Sequence, residues 1–164
     1  MKEYDGVPDF SELLSHTPMA RARVFGSIIY PEIKGDVWFY ETDFGILVVV
    51  DIEGLPIAKN NCGSSIFALH IHQGESCSGN NNDYFGNVGM HYNPQGCKHP
   101  YHAGDLPPIL SANGNAFLAV LTNGIGINEI IGRTIIIHSL PDDFVSQPAG
   151  NSSVKIACGE IKVY

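Results

Sequence analysis

Apolar and polar residues alternate in short segments along most of the chain, a pattern that predicts β-strands. Three such segments follow residue 20, namely ARARVFGSII, KGDVWFYET and FGILVVVDIEGL, and residues 42–45 (TDFG) favour a turn between the last two. Three later segments, NAFLAVLT, RTIIIHS and KIACGEIKVY, have the same character. Because irregular loops rather than amphipathic helices separate the segments, we predict an all-β domain, an antiparallel sandwich or barrel.

The first twenty residues stand apart from this pattern. Residues 8–20 (PDFSELLSHTPMA) could form a short helix that ends at Pro18, although an ordered tail along one sheet edge suits the composition better. We therefore divide the chain into an N-terminal extension, residues 1–20, and one domain, residues 21–164. A single domain also agrees with 164 residues of which 44% are hydrophobic.

Residues 67–106 contain five of the seven histidines, a density that is typical of a metal site. His70 and His72 are two residues apart within an apolar run. Side chains of a strand alternate between its two faces, so both imidazoles should lie on one face and could supply half of a coordination shell. The residues that should face the core instead are Phe67, Leu69 and Ile71.

Further candidate ligands follow in a segment rich in Gly, Asn and Pro, which can fold back to bring distant residues onto one ion. Three imidazole nitrogens and one carboxylate oxygen suit four-coordinate zinc. Two exposed strand histidines occur by chance and need bind nothing, but a larger set is harder to dismiss. His138 ends an apolar strand that has no need of an imidazole, whereas His16 is interpreted as a surface residue. The candidates in the segment are His91, His99, His102 and Asp105.

Taken in order, these residues resemble the copper/zinc superoxide dismutase family from about Arg21 to the C-terminus. The resemblance implies a Greek-key antiparallel β-sandwich or barrel of immunoglobulin-like architecture with long metal-binding loops. The residues that carry it are LHIH (69–72), HYNP (91–94), His99, HAGDL (102–106), GRTIIIH (132–138) and ACG (157–159).

The resemblance also implies a role for each candidate ligand. His91 would bridge copper and zinc and pass a proton to the forming peroxide, and Asp142 would link a ligand of one metal to a ligand of the other. Such outer carboxylates fix the tautomer and orientation of imidazoles. Copper would be held by His70, His72, His91 and His138, and zinc by His91, His99, His102 and Asp105.

The implied function is disproportionation of superoxide to dioxygen and hydrogen peroxide. Copper would perform the redox chemistry, while zinc, which has none, would position and polarise. By the same resemblance we expect a homodimer. Two alternatives are a metal-handling protein of this fold with little turnover, and a structural sandwich that zinc stabilises. The four-histidine copper set disfavours the structural alternative, because a stabilising site has no use for an open redox position.

One departure from the family bears on the substrate. Lys155 stands four residues before Gly159, where the family usually has an arginine that guides the anion beside copper. Lysine keeps the positive charge but lacks the planar fork of donors, so we expect attraction of superoxide to survive and its orientation to suffer. The segment between His138 and Cys158 also lacks the lysine-bearing loop that family members use for steering.

The four cysteines allow two interpretations. Free thiols are the ordinary expectation for a cytosolic chain, since disulfides are uncommon there. The family resemblance instead implies a disulfide between Cys77 and Cys158, which would contribute roughly 4 kcal/mol by closing a long loop. Cys62 and Cys97 could form a second bridge that braces the metal loop.

Charge narrows the range of partners. There are 17 acidic and 9 basic side chains, and the net charge is −8. This balance argues against binding to nucleic acid or to an anionic membrane, because both demand clustered Lys and Arg. Residues 1–10 show no apolar core of a secretory signal. We expect a cytoplasmic protein if Met1 is the native start; a mature exported form with its signal replaced by Met would look the same.

Overall fold

The computed structural model describes residues 15–57 and 65–164, and the regular secondary structure of these ranges is almost entirely β-strand. One 3₁₀ turn (Gly86–Val88) and one four-residue helix, α1 (Ile127–Ile130), interrupt the strands. The strands are β1 (Ala20–Gly26), β2 (Lys34–Thr42), β3 (Gly45–Glu53), β4 (Ser65–His72), β5 (Asp105–Ala112), β6 (Asn115–Thr122), β7 (Thr134–His138) and β8 (Lys155–Val163).

The eight strands close into an antiparallel barrel in the order β1-β2-β3-β6-β5-β4-β7-β8. Closure comes from β8 pairing with β1, which removes the free sheet edges. The predicted all-β class and the Greek-key barrel are therefore confirmed. Most of the possible helix at residues 8–20 lies outside the described residues. None of the described helices is long and apolar enough to cross a membrane.

Alternation along the strands places the core as predicted. Phe67, Leu69 and Ile71 of β4 all belong to the main buried cluster inside the barrel. In β2, which carries large apolar groups on both faces, Val37 and Phe39 point into the same core. The opposite face of β2 and β3 forms a second small apolar cluster that consists of Trp38, Tyr40, Leu47 and Val49.

Strand β5 is the element that the sequence pattern missed. Its sequence, DLPPILSA, contains two prolines, which cannot donate to a strand ladder. The barrel accommodates them at an irregularity, because the pairing of β4 with β5 shifts register between Phe67 and Leu69. The pairing of β5 with β6 is limited to residues 111–112 against 115–116. A strand with a broken ladder thus tolerates prolines that would exclude it from a regular sheet.

The strand order brings the candidate ligands to one region on the outside of the barrel. β4 lies between β5 and β7, and His70 is directly opposite Asp105 of β5. Two long loops, residues 73–104 and 139–154, cover this region. Reciprocal contacts join the loops, since the His99 N–H donates to Gln147 Oε1 (3.1 Å) and Gln147 Nε2 donates to the His99 carbonyl (2.7 Å).

A disulfide between Cys77 and Cys158 ties the first of these loops to β8. Its half-cystine on β8 is fully buried against Phe85, Val88 and Ile136. The second bridge considered for Cys97 is not formed, since Cys97 carries a free, exposed thiol. The turn that holds Cys97 is closed by Asn93, which bonds to both its N–H and its carbonyl. Cys62 lies outside the described residues.

Candidate metal centre

The two β4 histidines are oriented by hydrogen bonds on their outer nitrogens. His72 Nδ1 donates to the carbonyl of Gly89 over 2.8 Å, and His70 Nε2 donates to Asp142 Oδ2 over 2.8 Å. Each bond occupies one ring nitrogen and fixes the tautomer, so the remaining nitrogen is an unprotonated acceptor that faces the centre. His72 and His70 therefore offer Nε2 and Nδ1, respectively, to a common ion.

A four-histidine group gathers around these two nitrogens. His72 Nε2 is 3.3 Å from His138 Nε2, and the rings of His70 and His91 have centroids 3.9 Å apart. The ligand atoms of the group all lie within 4.8 Å of one another, close enough to surround one ion. The four-histidine group consists of His70, His72, His91 and His138, all buried.

A carboxylate group lies beside it and is centred on Asp105. Asp105 Oδ1 is 2.7 Å from His91 Nδ1, while Asp105 Oδ2 is 3.0 Å from His99 Nδ1 and 3.3 Å from His102 Nδ1. Three Nδ1 atoms thus converge on one carboxylate. Three imidazoles with one carboxylate form a donor set that zinc takes in four-coordinate sites. The carboxylate group consists of His91, His99, His102 and Asp105.

His91 is common to both groups. Its Nδ1 faces Asp105, while its Nε2 is buried without a hydrogen-bond partner on the side of the four-histidine group. The backbone sets this position, because His91 forms an isolated antiparallel bridge with His72 at the end of β4. One imidazole ring can therefore serve two ions at once.

Asp142 links the groups a second time, from behind the ligands. Its Oδ2 accepts from His70 Nε2 (2.8 Å) and its Oδ1 accepts from His99 Nε2 (2.9 Å), with a further bond from the Phe144 N–H (2.7 Å). Gly150 packs against this link so closely that a Cβ there would lie 2.0 Å from Asp142 Oδ1. The position also has φ of +66°, which favours glycine.

Burial keeps the strand histidines neutral. Desolvation, aided by the neighbouring imidazoles of His91 and His138, lowers the pKa of His70 to about 2. Burial also lowers the pKa of His138 to about 4 and that of His72 well below its usual value. Burial alone would raise the pKa of Asp105, but hydrogen bonds from His91 and His102 hold it below the usual value. Neutral imidazoles and an ionised carboxylate are the forms that bind metals.

Four ring nitrogens at the centre show whether the site is suited to metal ions. They are buried and none forms a hydrogen bond within the described part of the chain, because His99 Nδ1 and His102 Nδ1 approach Asp105 Oδ2 without hydrogen-bond geometry. Each such atom left unsatisfied costs about 1–3 kcal/mol. A positive ion in each group would satisfy them. The donor set thus fits two metal ions; the four atoms are His70 Nδ1, His91 Nε2, His99 Nδ1 and His102 Nδ1.

The four-histidine group borders a sizeable cavity. A cavity of about 710 Å³ is lined by His72, His91 and His138 of the four-histidine group, while neither His99 nor Asp105 lines it. Lys155 also lines this cavity and is opposite His138 in the β7–β8 ladder. Its ammonium does not stand alone, because Lys155 Nζ is paired with Asp83 Oδ2.

Some contributors to the centre were not singled out from the sequence. They are the Gly89 carbonyl, Gly150 and Asp83. A backbone carbonyl leaves no mark in sequence, and Asp83 sits in an asparagine-rich tract, residues 80–83, that has no metal-site pattern. Gly150 carries the one available signal, a glycine within a loop between a ligand strand and the last strand.

Comparisons with known proteins agree with this geometry. Residues 33–161 match the family described as copper/zinc superoxide dismutase (SODC). Superoxide dismutase (Cu-Zn) 2 of Aquifex aeolicus is 34% identical over 146 residues, which cover 80% of each chain. Superoxide dismutase (Cu-Zn) of Legionella pneumophila is 30% identical over 144 residues, again 80% of each.

A solved structure supports the same assignment at the level of the fold. The Cu/Zn superoxide dismutase from Brucella abortus has a TM-score of 0.72 at 22% identity, covering 86% of this chain and 98% of that one. With most of the chain matched by one family, the chain belongs to the copper/zinc superoxide dismutase family. The resemblance inferred from the sequence is confirmed.

Proposed function

We propose that this protein disproportionates superoxide to dioxygen and hydrogen peroxide, with copper in the four-histidine group and zinc in the carboxylate group. The observation that carries the proposal is the shared imidazole of His91, whose two nitrogens face two different donor sets. When bound, copper supplies one-electron redox chemistry and zinc supplies fixed charge without redox.

The residues of the four-histidine group differ in their position relative to the cavity. Imidazole suits copper, and four neutral nitrogens leave the charge of the ion uncompensated, which favours approach of an anion. His72, His91 and His138 line the cavity, whereas His70 lies behind them, fully buried and bonded to Asp142. An anion that enters the cavity therefore meets the group on the side where the chain leaves it accessible.

The carboxylate group holds the loop and His91. Asp105 contacts the Nδ1 atoms of His91, His99 and His102, so an ion bound there would gather the loop against β5. His91 Nε2 is the ring atom that could carry a proton if zinc held Nδ1, and it could do so only when Nε2 is not itself bound to copper. Nε2 faces the four-histidine group, on the side where hydrogen peroxide would need that proton.

Lys155 is the group proposed to attract the anion. It lines the cavity beside His138, its side chain is 17% exposed, and its ammonium carries the one lysine or arginine charge among the described residues that line the cavity. Lysine offers charge without the bidentate geometry of arginine. Its role is therefore attraction rather than precise orientation.

The test combines metal analysis with a superoxide assay. Metal content by mass spectrometry and the dismutation rate should be measured on the same samples before and after copper loading. We expect one copper and one zinc per chain and a rate that follows copper content. Stoichiometric copper without turnover would favour the metal-handling alternative, and zinc binding alone would favour the structural one.

A further inference from the structure

Lys155 lines two cavities rather than one. One is the cavity of about 710 Å³ beside the four-histidine group, which we call the metal cavity. The other is a cavity of about 340 Å³ that it lines together with Tyr30, Asn82, Asp83 and Tyr84. Its ammonium is held at the side of Asp83, through the pair between Lys155 Nζ and Asp83 Oδ2. Lys155, which lines the metal cavity, is therefore paired with a carboxylate from the loop 73–104.

The loop holds Asp83 in place for this contact. Asp83 and Asn80 exchange two backbone hydrogen bonds of 2.9 and 3.1 Å, and Asp83 Oδ1 accepts the N–H of Phe85 over 3.2 Å. One carboxylate oxygen thus closes the turn while the other receives the ammonium. The disulfide from Cys77 to Cys158 fastens the same loop to β8, the strand that begins with Lys155.

We propose that Asp83 is a positioning residue that restrains Lys155, compensating its charge until an incoming anion draws the ammonium toward the metal cavity. No other lysine or arginine of the described chain lines that cavity, so this one pair sets the local charge that an anion meets there. The inference rests on the proposed function, because it gives Lys155 a substrate anion to attract.

The exposure of the two partners makes such an exchange feasible. The Asp83 side chain is 45% exposed and that of Lys155 is 17% exposed. The Asp83 carboxylate is open to water, so the solvent competes with the ammonium for it and weakens the pair. The carboxylate therefore biases the position of the ammonium without locking it, and an anion in the cavity competes for the same donor.

The experiment measures anion binding without turnover. Azide is titrated into the copper- and zinc-loaded protein, and its binding is followed by the visible absorption of the copper–azide complex. Asp83→Asn removes the charge but keeps an oxygen for the Phe85 N–H. We expect it to tighten azide binding about two- to tenfold through the released ammonium, the effect of bringing one positive charge to within roughly 10 Å of the anion at effective dielectric constants of roughly 25–80.

Two controls separate this role from a general change in charge. Asp51→Asn makes the same change in net charge at an exposed site on the outer face of β3, and should alter the affinity less than about twofold. In a Lys155→Met background, Asp83→Asn should have no more effect than Asp51→Asn. Asp83→Ser, which retains a hydroxyl acceptor, provides a second removal of the charge if the asparagine variant folds poorly.

Equal effects of Asp83→Asn and Asp51→Asn would overturn the proposal, as would an Asp83 effect that persists without Lys155. The dismutation rate is measured in parallel. If no copper-loaded variant turns over superoxide while the azide affinities of the single and double variants change as expected, the proposed function fails and the role of Asp83 stands.

Discussion

The four-histidine group and the carboxylate group share His91 but differ in whether their other residues line a cavity. Three residues of the first line a cavity of about 710 Å³, whereas His99 and Asp105 of the second do not line it. They also differ in donor chemistry, since the first contains only imidazoles and the second contains the carboxylate of Asp105. Open metal sites are typical of catalysis and closed ones of structural roles.

The difference shows how one short region can hold two ions for two purposes. His70 and His72 come from a barrel strand and are anchored by the Gly89 carbonyl and Asp142, so the open group is built on rigid backbone. His99 and His102 come from an irregular loop outside the strands. An ion in the carboxylate group would therefore stabilise the loop, while an ion in the four-histidine group would meet the substrate.

The largest expected effect is on the open group alone. His138→Ala removes one of the four imidazoles and should strongly lower both the copper content and the dismutation rate. Loss of a residue that only hydrogen-bonds to a metal ligand costs about 10–100-fold, and loss of a ligand itself should cost more. Zinc content and the fold should be retained, because His138 takes no part in the carboxylate group. Both metals are measured by mass spectrometry alongside the rate; equal loss of zinc would contradict the division into two groups.

Asp142 tests the link between the groups. Asp142→Ala removes the acceptor of both His70 Nε2 and His99 Nε2, so affinity should fall about 10–100-fold for each metal. Competition with chelators of known affinity gives the two constants. The neighbouring Asp143→Asn serves as the control, because Asp143 bonds to Ser146 and Val145 rather than to a ligand. A loss confined to copper would show that Asp142 supports only the open group.

The closed group should control stability. Asp105→Ala, or removal of zinc by a chelator from the loaded protein, should lower the melting temperature by about 5–10 °C. This range corresponds to a ligand at roughly 100 times its Kd, which stabilises by about 2.7 kcal/mol, in a chain of this size. Calorimetry of loaded and stripped samples measures the shift. An unchanged melting temperature would mean that other contacts hold the loop.

The smallest effect concerns attraction of the anion to the open group. Lys155→Glu places a second negative charge beside Asp83 and should lower the dismutation rate about two- to tenfold. Lys155→Arg should preserve or raise it, because arginine keeps the charge and adds a planar fork of donors. The rates are compared at several ionic strengths with copper content matched. Because the charge acts at short range, the loss should persist in high salt; a Lys155→Glu variant as fast as the parent would remove Lys155 from the mechanism.

The strand positions of the site could be predicted because their pattern is local. The spacing of His70 and His72 in an apolar run assigns their faces through strand alternation alone, and Phe67, Leu69 and Ile71 do lie in the core. Pattern reasoning failed at β5, where two prolines hid a strand. The prolines are tolerated only because the pairing with β4 shifts register at that point, and a register shift is a property of two strands.

Contacts between distant loops were decided by the tertiary structure. Asp83 and Lys155 are 72 residues apart, and neither has a local pattern that marks the other as its partner. Cys97, considered for a bridge with Cys62, is a free thiol on the surface, although its position in the metal loop made a bridge plausible. The sequence by itself determined which side chains could bind metal, because donor chemistry and strand alternation belong to single residues and their neighbours. The paths of the two covering loops determined which charges meet at the cavity, because those paths depend on packing against the closed barrel.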